Sequence, residues 1–385
     1  MSAVAPANTR PEISAEVRTL PARYYTDPGW FDRELESIFC DMWLAAGRTE
    51  EIPASGSYFQ RQVGNARVIV LRDETGAVSA FHNACRHRGT LLCREPEGRF
   101  KGSIQCPYHA WTYGLDGRLN SAPHMEKVVH FRPADFPLQR VATAVWAGHI
   151  FINLAPAPSP FSEHLAGLDQ RFHPWRMQEL VRVERRRYEL HANWKLIIQN
   201  YSECVHCPNA HPQLSRFQHY LSGENEPPQA TWLGGFMELR PEVRTLSLAE
   251  DHDRGCFVHL SETDRRRVYY YAILPNMLLN LHPDYMVTYT LWPRAADFTQ
   301  VVCEWHFHPS QIRQPEFDAS GAIEFWDVTN RQDWELSDLA QLGIASRGYQ
   351  PGPFSNREEL LHAFDRWLLA RVPEESSLYA PSGSD

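Results

Sequence analysis

No basic run longer than three residues occurs in the chain, and 38 Lys and Arg are outnumbered by 47 Asp and Glu, for a net charge of −9. Without a basic face for phosphates, nucleic acid is not an expected partner. No stretch approaches the ~18 apolar residues that would cross a membrane, and the opening MSAVAPANTRPEISAEV has no apolar core of a secretory signal. The expectation is a soluble, cytoplasmic protein without membrane contact. The eight cysteines fall at irregular spacings, unlike a disulfide framework, so their thiols are expected to bind metal or to sit in cores. Cys40, Cys256 and Cys303 have apolar surroundings and read as ordinary buried cysteines. Nothing resembles G-x-G-x-x-G or a P-loop, so nicotinamide and flavin chemistry would sit on another protein. Internal repeats and low-complexity tracts are absent as well.

What is present is a chain of 385 residues, 43% hydrophobic, long enough for a substantial core and for two domains. Residues 28–40, PGWFDRELESIFC, begin with Pro and Gly and carry apolar residues at helical intervals, which predicts a short lead-in helix. From Trp43 to about Leu154, β-rich pieces such as ARVIVLRD, AVSAFHN and HIFINL are separated by Gly, Asp and Asn turns. That is the pattern of a small antiparallel β domain. APAPSPF at 155–161 reads as a Pro-rich break. Beyond it, strand-like runs mix with helices expected at 194–206, 321–342 and 356–371, an α+β arrangement with helices on one side of an antiparallel sheet. In the last helix Ser355 and Glu358 form a capping-box pattern ahead of the stripe Leu360, Leu361, Phe364, Trp367 and Leu368. The implied organisation is a lead-in segment over 1–42, a β domain over 43–155 and an α+β domain over 156–385.

Cys85, His87, Cys106 and His109 follow C-x-H-x18-C-x2-H, each pair on a turn between predicted strands. Two thiolates and two imidazoles admit a tetrahedral zinc or a 2Fe-2S cluster in which His replaces Cys on one iron. Zinc sites commonly space paired ligands by two to four residues, whereas C-x-H on an extended loop puts both side chains on one side, able to reach different irons. Pro107 stiffens the second loop, and Gly114 and Gly117 permit a tight return. Further on, in NWKLIIQNYSECVHCPNAHP at 193–212, Asn193 is placed to cap a helix with Trp194, Ile197, Ile198 and Tyr201 at core spacing. Glu203 and His206 are i,i+3 neighbours. His206 and His211 diverge by roughly 140° on an ideal helix, and Pro208 and Pro212 are expected to break it and free His211 to swing back. Two His plus one carboxylate, with open positions, is the ligand set of non-haem iron(II) oxygenases.

The stretches CRHRGTLLC and CPYHAWTYGLDG resemble Rieske 2Fe-2S proteins, and the second has the form found in Rieske oxygenases. Respiratory Rieske proteins carry an extra Cys where this chain has Tyr108, which leaves Cys93 without a disulfide partner and favours the oxygenase branch. The resemblance, to Rieske non-haem iron oxygenase alpha subunits, runs over nearly the whole chain. It implies an all-β Rieske domain joined to a helix-grip (Bet v 1-like) catalytic domain, with Cys85 and Cys106 on the inner iron and His87 and His109 on the outer. It implies His206 and His211 as ligands of a mononuclear iron(II), the third being Asp333 in QDWELSDLAQLG, with Asp327 and then Asp338 as alternatives. Glu203 is implied to link His206 to a cluster His, His109, of a neighbouring subunit, and Asn200 is a further catalytic candidate. Further implications are a homotrimer, O2 as co-substrate and a separate NAD(P)H-dependent reductase. NYSECVHCPNAHP, LPNMLLNLHPDY and FWDVTNRQDWE look most like the branch that oxidises N-methyl groups of glycine betaine, stachydrine and carnitine with release of formaldehyde. The alternatives are hydroxylation of an arene or other C–H bond and, outside catalysis, an electron-transfer protein with a vestigial second site. Tyr201, Tyr220, Tyr269, Tyr270, Tyr271, Tyr285, Tyr289, Trp292 and Trp326 are candidates for an aromatic cage around a cation, though strand aromatics are more often core.

Overall fold

The structure, a computed structural model, describes residues 13–249 and 254–372. The described residues divide into two compact units: one of residues 34–181 with 275–277, the other of 13–33, 182–249, 254–274 and 278–372. These edges differ from those expected at 42/43 and 155/156, for reasons of packing. Residues 35–39 and the segment after the Pro-rich break both fold onto the β unit. There Trp43 donates from its indole to Ser159 O and stacks edge-on against Phe161, and Arg48 donates to the carbonyls of Met177 and Leu180.

The β unit holds β1 (Leu44–Arg48), β2 (Ser57–Val63), β3 (Ala66–Arg72), β4 (Val78–His82), β5 (Glu97–Arg99), β9 (Arg140–Trp146) and β10 (His149–Asn153) in one sheet of order β1-β10-β9-β4-β3-β2-β5. A second, three-stranded sheet is made of β6 (Ser103–Gln105), β7 (Thr112–Gly114) and β8 (Leu119–Ser121). Between them lies a core of Ile69, Leu71, Phe81, Ile104, Trp111, Tyr113 and Leu138 into which Cys85 and Cys106 are built. Gly117 turns the chain beneath it at φ +84°, and a Cβ there would meet Phe81 at 2.4 Å, so no side chain fits this position.

The other unit carries β11 (Val181–Leu190), β12 (Glu224–Asn225), β13 (Trp232–Glu238), β14 (Arg267–Ile273), β15 (Met277–Leu281), β16 (Met286–Ala295) and β17 (Phe298–Phe307) in the order β11-β17-β16-β15-β14-β13-β12. Helices α1 (Arg23–Thr26) and α2 (Pro28–Glu34) precede it in the chain, while α3 (Phe161–Leu165) and α4 (Leu168–Phe172) lie in the β unit. Within or after this second unit's sheet come α5 (Trp194–Tyr201), α6 (Cys207–Ala210), α7 (Pro212–Phe217), α8 (Pro309–Ile312), α9 (Ser320–Ile344) and α10 (Glu359–Arg371). The expected lead-in helix is α2 continued by a wider π turn over Leu35–Phe39. Long α9 lays Ala322, Trp326, Asn330, Ser337, Gln341 and Ile344 inward at helical spacing. From that face Trp326 donates to Tyr285 Oη, and Asn330 accepts from Tyr289 Oη. Among the described residues no helix is long and apolar enough to cross a membrane.

Two helix ends differ from the sequence expectation. The Ser355–Glu358 pair does close on itself, Glu358 Oε2 accepting from Ser355 N at 2.6 Å. It forms the turn before α10 rather than its first turn, because the helix begins only at Glu359. The expected 194–206 helix stops at Tyr201. Cys303 is fully buried as expected, while Cys40 and Cys256 are only partly so.

Helices α5 and α10 meet at a buried polar contact, where Gln199 Nε2 donates to Asp365 Oδ1 at 2.7 Å and Asp365 Oδ2 has no partner among the described residues. Burial pushes the Asp365 carboxyl up to about 7, against smaller opposing effects of Gln199 and Lys195. With the unfolded value near ~3.9, the folded protein keeps a proton that the unfolded chain has released. The associated stability is therefore complete below about pH 4 and is lost as pH rises through about 7. In urea titrations Asp365→Asn, which keeps an acceptor for Gln199, is expected to match the parent near pH 4 and to exceed it by on the order of 2 kcal/mol at pH 8. Equal stability at both pH values would contradict this.

Candidate iron centres

In the β unit two short loops present the first donor set in the same way. The Cys85 loop closes through Gly89 N to Cys85 O at 2.9 Å, and the Cys106 loop through Ala110 N to Cys106 O at 3.1 Å. Gly89 and Ala110 both take positive φ, +71° and +53°. Such turns aim the Cys inward and the His outward. Cys85 and Cys106 are 3% and 2% exposed and not joined to each other, while the His87 and His109 rings lie at the surface, centroids 4.7 Å apart. His87 stacks on Trp111 at 4.8 Å. Tyr113 Oη lies 3.3 Å from Cys85 Sγ and accepts from Arg86 N. Burial raises the Cys85 thiol above its ordinary value, with the hydrogen bond from Tyr113 opposing, so an electropositive core is what would hold both sulfurs as thiolates. Two buried thiols inside and two imidazoles at the rim fit a 2Fe-2S cluster with one iron toward solvent.

The second donor set is built where α5 ends. Asn193 caps α5, its Oδ1 accepting from Lys195 N at 3.0 Å. The chain leaves helical geometry after Tyr201, turns through Glu203, and re-enters at α6 and α7, whose first turns hold Pro208 and Pro212. The prolines thus start new short helices rather than merely stopping the old one. His211 sits at the junction, 1% exposed, and swings back toward His206. The two Nε2 atoms are 3.2 Å apart. Asp333 arrives from the inner face of α9, its Oδ1 2.9 Å from His211 Nε2 and 3.2 Å from His206 Nε2. Three donors at right angles around one ion, each about 2.0–2.2 Å from it, stand roughly 3 Å apart. The triangle fits a single metal ion that it binds on one side only.

The far nitrogens are also held. Glu203 Oε1 lies 2.5 Å from His206 Nδ1, and its other oxygen accepts from Val205 N. Gln332 Oε1 lies 2.8 Å from His211 Nδ1. Both contacts put the ring proton on Nδ1 and turn Nε2 to the triangle. Burial alone would lower His206, but its bonds to Asp333 and Glu203 outweigh that and push it up to about 10. Burial would likewise raise Asp333, yet the two imidazoles hold it below the usual carboxylate range. The Glu203 and His206 pairing expected of a helix face is made instead across the turn. Asp327 is engaged elsewhere, with Tyr188, Arg186 and Arg331, and Asp338 lies outside this cavity's lining.

Cys204 and Cys207, on either side of His206, form a disulfide, which corrects the expectation that the thiols bind metal or sit singly in cores. Cys207 Sγ is 3.9 Å from His206 Nε2, but as half of a disulfide it has no thiolate to offer. Its C-x-x-C spacing was the available signal. Gln332 gave none beyond its place next to Asp333, and Tyr113 gave none.

Above the triangle is a cavity of about 130 Å³. Asn200 and Glu203 line it, and of the nine candidate aromatics Tyr201, Tyr220, Tyr270, Tyr289 and Trp326 do, with Phe236 and Trp334 added. Tyr269, Tyr271, Tyr285 and Trp292 are core instead. Strand alternation explains the split within 269–271, where Tyr270 alone faces the cavity.

Residues 42–132 match the model of the Rieske [2Fe-2S] domain and 177–374 that of the ring hydroxylating alpha subunit catalytic domain. A glycine betaine monooxygenase oxygenase subunit of Pseudomonas aeruginosa is 31% identical over 93% of this chain and 91% of its own. A carnitine monooxygenase oxygenase subunit of Escherichia coli is 28% identical over 87% and 86%. A solved quaternary ammonium Rieske monooxygenase in complex with an inhibitor superposes with a TM-score of 0.79 at 25% identity, over 92% of this chain and 96% of that one. Naphthalene 1,2-dioxygenase from Rhodococcus sp. shares the fold at a TM-score of 0.70 and 22% identity, over 92% and 95%. These matches define an iron-dependent oxidoreductase with both a 2Fe-2S cluster and a mononuclear iron. The chain belongs to the Rieske non-haem iron oxygenases, as a ring-hydroxylating-type alpha subunit.

Iron analysis separates the donors. Purified protein is expected to hold about three irons per chain, and His206→Ala, His211→Ala or Asp333→Ala about two, with the visible absorption of the cluster retained. Asp327→Asn is expected to keep all three. Loss of iron in Asp327→Asn but not in Asp333→Ala would reverse the assignment.

Proposed function

We propose that this oxygenase removes a methyl group from a quaternary ammonium compound of the glycine betaine kind. The observation that carries the reading is a small cavity walled by aromatic rings directly above the His206, His211 and Asp333 triangle. Three of the ring hydroxyls are committed: Tyr201 to Leu279 O, Tyr270 to Gln218 and Tyr289 to Asn330. Burial raises all three phenols, so they stay neutral and offer ring faces. A trimethylammonium head, with no N–H to donate, is held by such faces.

His206, His211 and Asp333 would hold the iron, and Cys85, His87, Cys106 and His109 the cluster. Iron bound at the triangle supplies the dioxygen chemistry. In the balance, one oxygen atom enters an N-methyl C–H bond, and the other leaves as water with two electrons and two protons. The C–N bond of the resulting N-hydroxymethyl group then breaks, giving formaldehyde, a tertiary amine and a proton. The aromatic walls fix one methyl toward the triangle and exclude water around it. Glu203 holds the proton on His206 Nδ1 and so fixes the ring's aim. A separate NAD(P)H-dependent reductase, made in the cytoplasm where we place this protein, would supply the electrons. A 25% identical quaternary ammonium Rieske monooxygenase is described with inter-subunit electron transfer, which supports a homotrimer in which Glu203 faces His109 of a neighbouring copy.

With a surrogate reductase, NADH and O2, the holoenzyme is expected to release formaldehyde from glycine betaine or carnitine and to leave naphthalene unchanged. Hydroxylated arene without formaldehyde would overturn the reading. Glu203→Gln is expected to lower kcat by about tenfold or more while keeping about three irons per chain.

A further inference from the structure

The cavity above the triangle is lined by few charged side chains. Its lining acids, Glu203 and Asp333, both sit at the iron end and both are bound to histidines. Its lining holds one Lys or Arg, Arg357, which stands beside Leu360, Gly223 and Asn225 in the turn before α10. Arg357 is half-buried, and among the described residues no ion pair or side-chain hydrogen bond engages its guanidinium.

The surroundings explain why it is left over. Arg357 is followed by two acids that could neutralise it. Glu358 is taken by the Ser355 amide, and Glu359 Oε1 accepts from Asn225 Nδ2 at 2.7 Å, tying α10 to β12 at the cavity edge. Arg357 N is itself bonded to Ser355 Oγ, so the turn that engages Glu358 also fixes the backbone that carries the arginine. An unneutralised, partly desolvated guanidinium, with five donors in a fixed fork, is suited to a carboxylate.

We propose that Arg357 reads the carboxylate of the substrate and makes this oxygenase selective for trimethylammonium carboxylates over trimethylammonium alcohols. This rests on the quaternary ammonium reading and deepens it. Aromatic faces take the cationic head toward the triangle, and Arg357 takes the anionic end. An alcohol such as choline lacks the anionic end and would leave the arginine uncompensated.

The test is calorimetric binding of glycine betaine, carnitine and choline to the iron-loaded holoprotein, followed by steady-state turnover with a surrogate reductase. The parent is expected to bind at least one carboxylate about tenfold or more tighter than choline. Arg357→Gln is expected to raise Kd and KM for that carboxylate by about tenfold or more and to leave choline binding unchanged. Arg357→Lys, which keeps the charge but not the fork, is expected to fall between. Carboxylate binding that Arg357→Gln does not change, or that falls equally for choline, would overturn the role of Arg357 while leaving the quaternary ammonium reading intact. A parent protein that binds none of the three would overturn both.

Discussion

Two imidazole nitrogens and a carboxylate oxygen stand within 3.2 Å of one another at one point of this molecule, and much else in the catalytic unit serves that convergence. Three such atoms do not gather without something to share, a proton or a metal ion. Without metal, the arrangement drives His206 toward its protonated form and Asp333 toward its charged form. The same geometry is suited to an ion that replaces the protons. Glu203 and Gln332 hold the rings from behind, leaving little rotational freedom to lose on binding.

The backbone meets this demand by breaking a helix. If α5 ran on past Tyr201, His206 and His211 would face different directions. The turn at Ser202–Val205, the disulfide of Cys204 with Cys207, and two prolines at the starts of α6 and α7 produce the needed reversal within ten residues. Asp333 needs no such device. It rides on the inward stripe of α9, where Trp326 and Asn330 are anchored to the sheet, so its position follows from the core's packing.

Much of this was legible in the sequence because the relevant signals are local. The C-x-H and C-x2-H loops lie between short strands with turn residues, and the Cys-in, His-out arrangement follows from tight loops that reverse at Gly89 and Ala110. The Asn193 cap and the helix around Asp333 follow from capping chemistry and 3.6-residue periodicity. What was not legible is set by tertiary contacts. Residues 35–39 and 156–181 join the β unit through contacts such as those of Arg48 with the Met177 and Leu180 carbonyls, distant in sequence and without a composition mark. The identity of the cavity-lining aromatics depended on which face of β14 looked inward, and the arginine at the cavity edge depended on which of its neighbouring acids were already engaged.

Anomalous scattering at the iron absorption edge from crystals of the holoprotein tests the convergence of His206, His211 and Asp333 on one ion. The expected result is one isolated iron bonded to His206 Nε2, His211 Nε2 and an Asp333 oxygen, and a second, paired iron signal bonded to Cys85, His87, Cys106 and His109. A well-occupied iron pair with no iron at the triangle, or an ion there bound without Asp333, would contradict it.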